Sequence, residues 1–282
     1  MSARGDSWSL LALTAACLSL VPVAARADDP PPLVIVMGDS IVRDYPEYPW
    51  YFTVPIQGWG HLIPRYFRPE LQWRNDARGH QSTTSFIAEG RVANALAAQP
   101  RFLLIMFGIV DADADPYYYA APDTLYRQNL HRMVTDARAA GAEPIFVTPT
   151  PIRRAAEDGW HVARPNGLEP WADAMIAQGA EDGVPVADLQ YWLLDEYDRI
   201  GVPTAQKLYG LEQDGAQDTV HFSPYGADQA ARHIAAQIPQ LAPNLAGYLL
   251  QSVAPVFPPW AKPAFVALLG LAALAAGRAR AR

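Results

Sequence analysis

The amino-acid sequence predicts an α/β fold, a central parallel sheet of about five strands with helices on both faces. Three observations carry that expectation. Short unbroken apolar runs occur at 33–37, 102–107 and 144–147, the pattern of strands buried on both sides. Stretches with helical spacing fall between these runs, so strands and helices alternate, as they do when crossovers cover a parallel sheet. Half of the 282 residues are hydrophobic, enough for one well-cored domain with a segment to spare at each end.

The elements follow in order. Leu33, Val34, Ile35, Val36 and Met37 form the first strand. Residues 58–67 predict a helix, 71–75 a second strand and the Ala-rich stretch 89–99 a second helix. The run 102–107 is the most strongly strand-like in the chain. Over 124–140, Leu125, Leu130, Met133 and Val134 fall on one side of a helix that ends at Gly141. Residues 144–147 give a fourth strand, 170–183 a helix, 185–187 a short fifth strand, and 189–199 and 224–238 two further helices. Ser223 before Pro224 is a capping hydroxyl followed by proline at the first helical position. Ligands of such sheets bind beyond the carboxyl ends of the strands, which says where chemistry should be sought.

The two ends read differently from the middle. Residues 1–27 predict an export signal: Arg4, a largely apolar stretch from Leu10, and the small-x-small site Ala25-Arg26-Ala27 before Asp28. Residues 28–245 form the predicted globular domain and 246–262 a linker. Residues 263–282 form a hydrophobic anchor or sorting tail: an apolar run over 263–277 closed by Arg278, Arg280 and Arg282. The expected location is outside the cytoplasm (periplasmic, cell-surface or secreted), with membrane contact through this tail. The termini hold six of the 22 basic residues and one of the 29 acidic ones, so a net charge of −7 conceals −12 over 28–252. That sign repels phosphate backbones, and no nucleic-acid partner is expected. Cys17 is the only cysteine, which excludes disulfides within the chain and thiolate metal sites.

Gly38-Asp39-Ser40 follows the first strand directly, so a serine stands at the carboxyl end of a central strand. The same tripeptide at Gly5-Asp6-Ser7 lacks that context. Asp218 and His221 lie three apart just before the last helix. A serine hydroxyl becomes nucleophilic through a neighbouring base, and the base needs an acid to fix its tautomer. These three residues supply that set, with Asp218 and His221 expected on a loop. Asp111, Asp113 and Asp115 alternate like calcium ligands, but Pro116 stands where such a loop needs glycine. His61, His131, His161 and His233 show no ligand spacing. Neither a metal nor a cofactor is implied.

Gly38-Asp39-Ser40, Asn75-Asp76-Ala77, the stretch from Gln81 to Phe86 and the block from Asp218 to Pro224 together resemble SGNH/GDSL hydrolases. Gly58-Trp59-Gly60, Phe107-Gly108 and Thr148-Pro149-Thr150-Pro151 point to the rhamnogalacturonan acetylesterase branch. The resemblance spans roughly 33–240. It implies a flavodoxin-like three-layer sandwich and ester hydrolysis by Ser40, His221 and Asp218. Two positions depart from the family pattern. His80 stands where the family has an oxyanion-hole glycine, next to Gly79, and Val110 replaces an asparagine that donates to the oxyanion.

The sequence therefore reads as an exported serine esterase acting on carboxylic esters, with O-acetyl groups of a polysaccharide, or a small-molecule ester, as substrate. Backbone N–H groups of Ser40, Gly79 and His80 are expected to hold the oxyanion. A second possibility is that the His80 imidazole fills the space over Val110 and donates there itself. Tyr48, Trp50, Tyr117 and Tyr118 fall on loops expected to rim the site and to contact substrate. Two rival readings are a weakened relative that binds acetylated glycans and a lipase or thioesterase on the same fold.

Overall fold

The computed structural model describes residues 31–46, 52–156, 159–161 and 167–250. The sequence expectations for 1–27 and 263–282, and for Tyr48 and Trp50, lie outside these residues. The chain runs from β1 (Leu33–Gly38) through the short β2 (Phe52–Val54) and α1 (Trp59–Leu62) into a 3-10 turn (Ile63–Tyr66). β3 (Gln72–Asn75), α2 (Thr83–Ala88), α3 (Arg91–Leu96) and β4 (Phe102–Met106) follow. A π-type turn (Pro122–Tyr126) opens α4 (Arg127–Ala139), and β5 (Glu143–Val147) leads to the hairpin β6 (Arg154–Ala156) and β7 (Gly159–His161). Next come α5 (Glu169–Asp182), β8 (Val186–Ala187), α6 (Gln190–Ile200), α7 (Val202–Ala205), β9 (Tyr209–Glu212), β10 (Gln217–Phe222), α8 (Pro224–Leu241) and α9 (Pro243–Ala246).

Five strands form a parallel sheet in the order β3-β1-β4-β5-β8. That is the flavodoxin-like order, and the winding direction reverses at β1, where α/β sheets open a crevice for ligands. Strand periodicity explains the three layers. From β1, Val34 and Val36 enter one core with Trp59 of α1, Leu193 of α6 and Ala231 and Ile234 of α8. Ile35 and Met37 enter the other, with Phe86 of α2, Leu130 and Met133 of α4 and Met175 of α5. β4 divides the same way, Leu104 and Met106 to the first core, Leu103 and Ile105 to the second. All eight of these strand side chains are fully buried, each contributing about 1.5–3 kcal/mol of hydrophobic stabilisation.

Several expected elements differ in detail. The helix over 58–67 stops at Leu62 and tightens into a 3-10 turn carrying Pro64, whose ring cannot continue an α-helical ladder. The helix over 89–99 is the shorter α3 (Arg91–Leu96), and a separate helix α2 precedes it, the two divided at Gly90, whose φ is 69°. α2 was not expected from the sequence; it starts where Ser82 and Ser85 form a reciprocal cap. Leu125 is exposed rather than buried. It lies in the π-type turn, which shifts the helical phase and sends Tyr126 inward instead, where its hydroxyl donates to the Phe107 carbonyl (2.8 Å). At the last helix, Ser223 Oγ accepts the Gly226 N–H (3.1 Å) as the sequence implies.

A second, antiparallel sheet of order β10-β9-β2 was not expected. It matters because Asp218 and His221 lie within β10, not on a loop. Among the described residues no helix is long and apolar enough to cross a membrane.

Candidate active site

Ser40 follows β1 by two residues, in a turn built by its neighbour. Asp39 Oδ1 accepts the Ile41 N–H (2.9 Å), and the Asp39 carbonyl accepts those of Val42 (3.3 Å) and Arg43 (3.2 Å). Gly38 permits the turn because a Cβ there would lie 2.5 Å from Val42 Cγ2 and 2.7 Å from the Met106 carbonyl oxygen. Asp39 is fully buried, and burial pushes its carboxyl up to about 7 although the Ile41 N–H and the charge of His221 pull it down.

In a regular strand, residues three apart point to opposite faces. β10 is irregular: its register against β9 shifts between Gln217 and Phe222. Asp218 Oδ1 accepts the backbone N–H groups of both Val220 (2.8 Å) and His221 (2.6 Å), curling the strand so that the two side chains meet. His221 Nδ1 then lies 2.8 Å from Asp218 Oδ2, and His221 Nε2 lies 2.9 Å from Ser40 Oγ. Burial would raise the Asp218 carboxyl, but the ring hydrogen bond, the charge of His221 and the two backbone donors outweigh it and hold the pKa below the ordinary value.

Gly79 approaches the serine closely: a Cβ on it would sit 3.9 Å from Ser40 Cβ and 3.3 Å from Arg43 Nη1. Among the described residues, the backbone N–H groups of Ser40, Gly79 and His80 have no acceptor within the chain. His80 has φ 58° and an exposed side chain whose ring meets Tyr118 edge-on at 4.4 Å. Val110 is buried. Tyr118 meets Tyr117 at 4.9 Å, so His80, Tyr118 and the exposed Tyr117 form one aromatic wall. A cleft of about 610 Å³ borders Gly79 and is lined by Arg43, Asn75, Asp76, Arg78 and Arg91 as well.

The alternating aspartates have separate structural duties. Asp111 is fully buried, its Oδ1 accepting the N–H and hydroxyl of Thr83. Burial pushes it up to about 7 against those bonds. Asp113 and Asp115 each accept the N–H two residues on. His61 pairs with Asp44 and His131 with Asp182, while His233 stacks on Trp192 at 4.0 Å.

One neighbour of the site escaped the sequence reading. Arg153 is 2% exposed, its guanidinium 4.0 Å over the Tyr209 ring and its Nη2 3.3 Å from the Asp218 carbonyl oxygen. Its only sequence signal is its position just after Thr148-Pro149-Thr150-Pro151, at the carboxyl end of a central strand.

A serine, an imidazole and a carboxylate stand in hydrogen-bonded series at the switch point of a flavodoxin-like sheet, an arrangement chemically able to hydrolyse an ester. Comparison with known proteins gives the family. The model of the GDSL-like Lipase/Acylhydrolase family matches residues 36–229, and the chain belongs to that family. It is a carboxylic ester hydrolase of the SGNH/GDSL kind. It is 33% identical over 228 residues to the rhamnogalacturonan acetylesterase RhgT of Bacillus subtilis (strain 168), covering 77% of this chain and 94% of that relative. A crystal structure of a Bacillus subtilis protein, YXIM, has the same fold (TM-score 0.61, 24% identity), covering 77% of this chain and 58% of its own. The acetyl xylan esterase AlAXEase also shares the fold (TM-score 0.54, 12% identity), covering 73% of this chain and 99% of its own.

Proposed function

We propose that this protein is an exported serine esterase that removes O-acetyl groups from carbohydrate, with Ser40 as nucleophile, His221 as base and Asp218 as the orienting acid. The observation that carries the reading is the series Ser40 Oγ to His221 Nε2 (2.9 Å) and His221 Nδ1 to Asp218 Oδ2 (2.8 Å). A carboxylate is an acceptor only, so Asp218 places the imidazole proton on Nδ1 and leaves Nε2 to take the serine proton. Ser40 Oγ attacks the acyl carbon as that proton moves, and the backbone N–H groups of Ser40, Gly79 and His80 receive the oxyanion. His221 then returns the proton to the departing sugar oxygen, leaving an acyl-serine that water hydrolyses by the same route. The likeness to RhgT supports an acetylated polysaccharide as substrate, and the wall of His80, Tyr118 and Tyr117 offers flat faces suited to sugar rings. The small-x-small site before Asp28 supports export, and the apolar run 263–277 with its terminal arginines supports retention at the envelope.

The test is release of acetate from acetylated pectic and xylan oligosaccharides by the parent and its Ser40→Ala variant. The variant should lose about 10⁶-fold in turnover. Equal release by the two would exclude Ser40 as nucleophile, and release from neither substrate by an active parent would exclude carbohydrate acetyl esters.

A further inference from the structure

Ser40 and His221 come from segments 181 residues apart, and a route of hydrogen bonds outside the catalytic series joins them a second time. Tyr45, 8% exposed, lies five residues beyond Ser40 and donates its hydroxyl to the Ser40 carbonyl oxygen (3.2 Å). Its ring meets that of His221 edge-on, with centroids 6.5 Å apart and planes at 79°. The guanidinium of Arg43 lies 4.9 Å over the same ring. Tyr45 is itself held through its backbone, whose N–H donates to Gln57 Oε1 (3.1 Å). That oxygen also accepts the Gly58 N–H (2.9 Å), and the Gln57 N–H donates to the carbonyl of Phe222 (2.8 Å), the residue after His221. The circuit is closed, running from Ser40 through Tyr45, Gln57 and Phe222 to His221 and back to Ser40.

We infer that Tyr45, seated by Gln57, is a positioning residue that holds the Ser40 peptide and the His221 ring in register. This rests on the reading of Ser40 and His221 given above. Fixing the Ser40 carbonyl fixes the peptide plane next to the nucleophile and, with it, the direction of Oγ. The ring contact limits swing of the imidazole about its Cα–Cβ bond. Burial pushes the phenol up to about 12, so the hydroxyl stays a donor wherever esters are assayed. A residue that only filled the core would need none of these polar contacts, and phenylalanine would replace it without kinetic effect.

The experiment compares the full chain with Tyr45→Phe, Tyr45→Leu and Ser40→Ala. Three measurements are made: kcat and KM on 4-nitrophenyl acetate, the rate of inactivation by diethyl 4-nitrophenyl phosphate, and the thermal midpoint. Tyr45→Phe keeps the packing and loses only the hydroxyl. It should lower kcat about tenfold with KM within about twofold, slow the organophosphate reaction in parallel and leave the midpoint within a few degrees. Tyr45→Leu, which also frees the imidazole, should lose about 10²-fold. If the leucine variant does not fold, the phenylalanine variant decides alone. Parental kcat in Tyr45→Phe, or a change in KM only, beside an inactive Ser40→Ala overturns the positioning role and leaves the nucleophile in place. A Ser40→Ala variant that keeps turnover overturns the reading underneath.

Discussion

Replacing Asp218 by asparagine should trap His221 in the wrong tautomer, and the surrounding bonds say why the trap cannot open. Asp218 Oδ1 accepts two backbone N–H groups, from Val220 and His221, at 2.8 and 2.6 Å. An asparagine keeps its carbonyl oxygen there, because turning the amide over would face an NH₂ against two partly buried donors, at a cost of up to about 1–3 kcal/mol for each group left unsatisfied. The NH₂ therefore points at His221 Nδ1, 2.8 Å away in the parent. Since that group only donates, Nδ1 must accept and the ring proton moves to Nε2, toward Ser40 Oγ. Nε2 can no longer take the serine proton. The same exchange in serine-protease triads costs about 10⁴-fold in kcat, or about 5.5 kcal/mol of barrier, and a similar loss is expected here. Ester turnover measures the loss, and ¹⁵N spectra of the imidazole measure the tautomer. A folded Asp218→Asn variant that keeps more than about a tenth of the parental kcat, or whose Nδ1 stays protonated, would refute the argument.

The remaining predictions concern the floor and rim of the site. Asp111 titrates near 7 in the folded chain because burial raises it from 3.8. Between about pH 4 and 7 the unfolded chain loses this proton first, and stability falls as pH rises. Asp111→Asn should remove a slope of up to about 1.4 kcal/mol per pH unit from urea unfolding in that window, and an unchanged slope would reject the assignment. His80→Gly should leave kcat within about threefold, because the His80 ring is exposed and engaged with Tyr118. A loss of about 10²-fold would instead make the imidazole an oxyanion donor.

What the sequence made legible was whatever is local. The runs in β1 and β4 declare burial on both faces by themselves, and Ser223 before Pro224 declares a helix start. What escaped it depends on partners far away. Phe52 is a strand residue because Glu212 lies beside it, a pairing across most of the domain. Asp218 and His221 look like a loop because the bulge that brings them together destroys the alternation by which strands are recognised. Leu125 was misplaced because a π-type turn changes the phase of a helix without altering its composition. Tyr45 gives no signal of its own in the sequence, since its contacts are set by Gln57 and, through it, by the carbonyl of Phe222.

The two departures from the family pattern are of different kinds. His80 takes φ 58°, the left-handed conformation that glycine adopts freely and that histidine tolerates better than most residues. The turn a glycine would make is therefore kept, and with it the backbone N–H beside Ser40. The exchange costs little chemistry because a backbone donor does not depend on the side chain. Val110 is the opposite case. Its backbone sits in the turn after Gly108, but the group that the resemblance places on the oxyanion is a side-chain amide, and two buried methyl groups stand in its place. In the proposed mechanism the oxyanion thus rests on backbone donors alone, one strong contact short of the family's set. Loss of one such donor costs about 10²–10³ in turnover. The chain's rate on a simple acetyl ester should then lie below that of relatives retaining the asparagine by that factor, with the deficit in kcat and not in KM, because the missing bond strengthens only as charge develops on the oxygen.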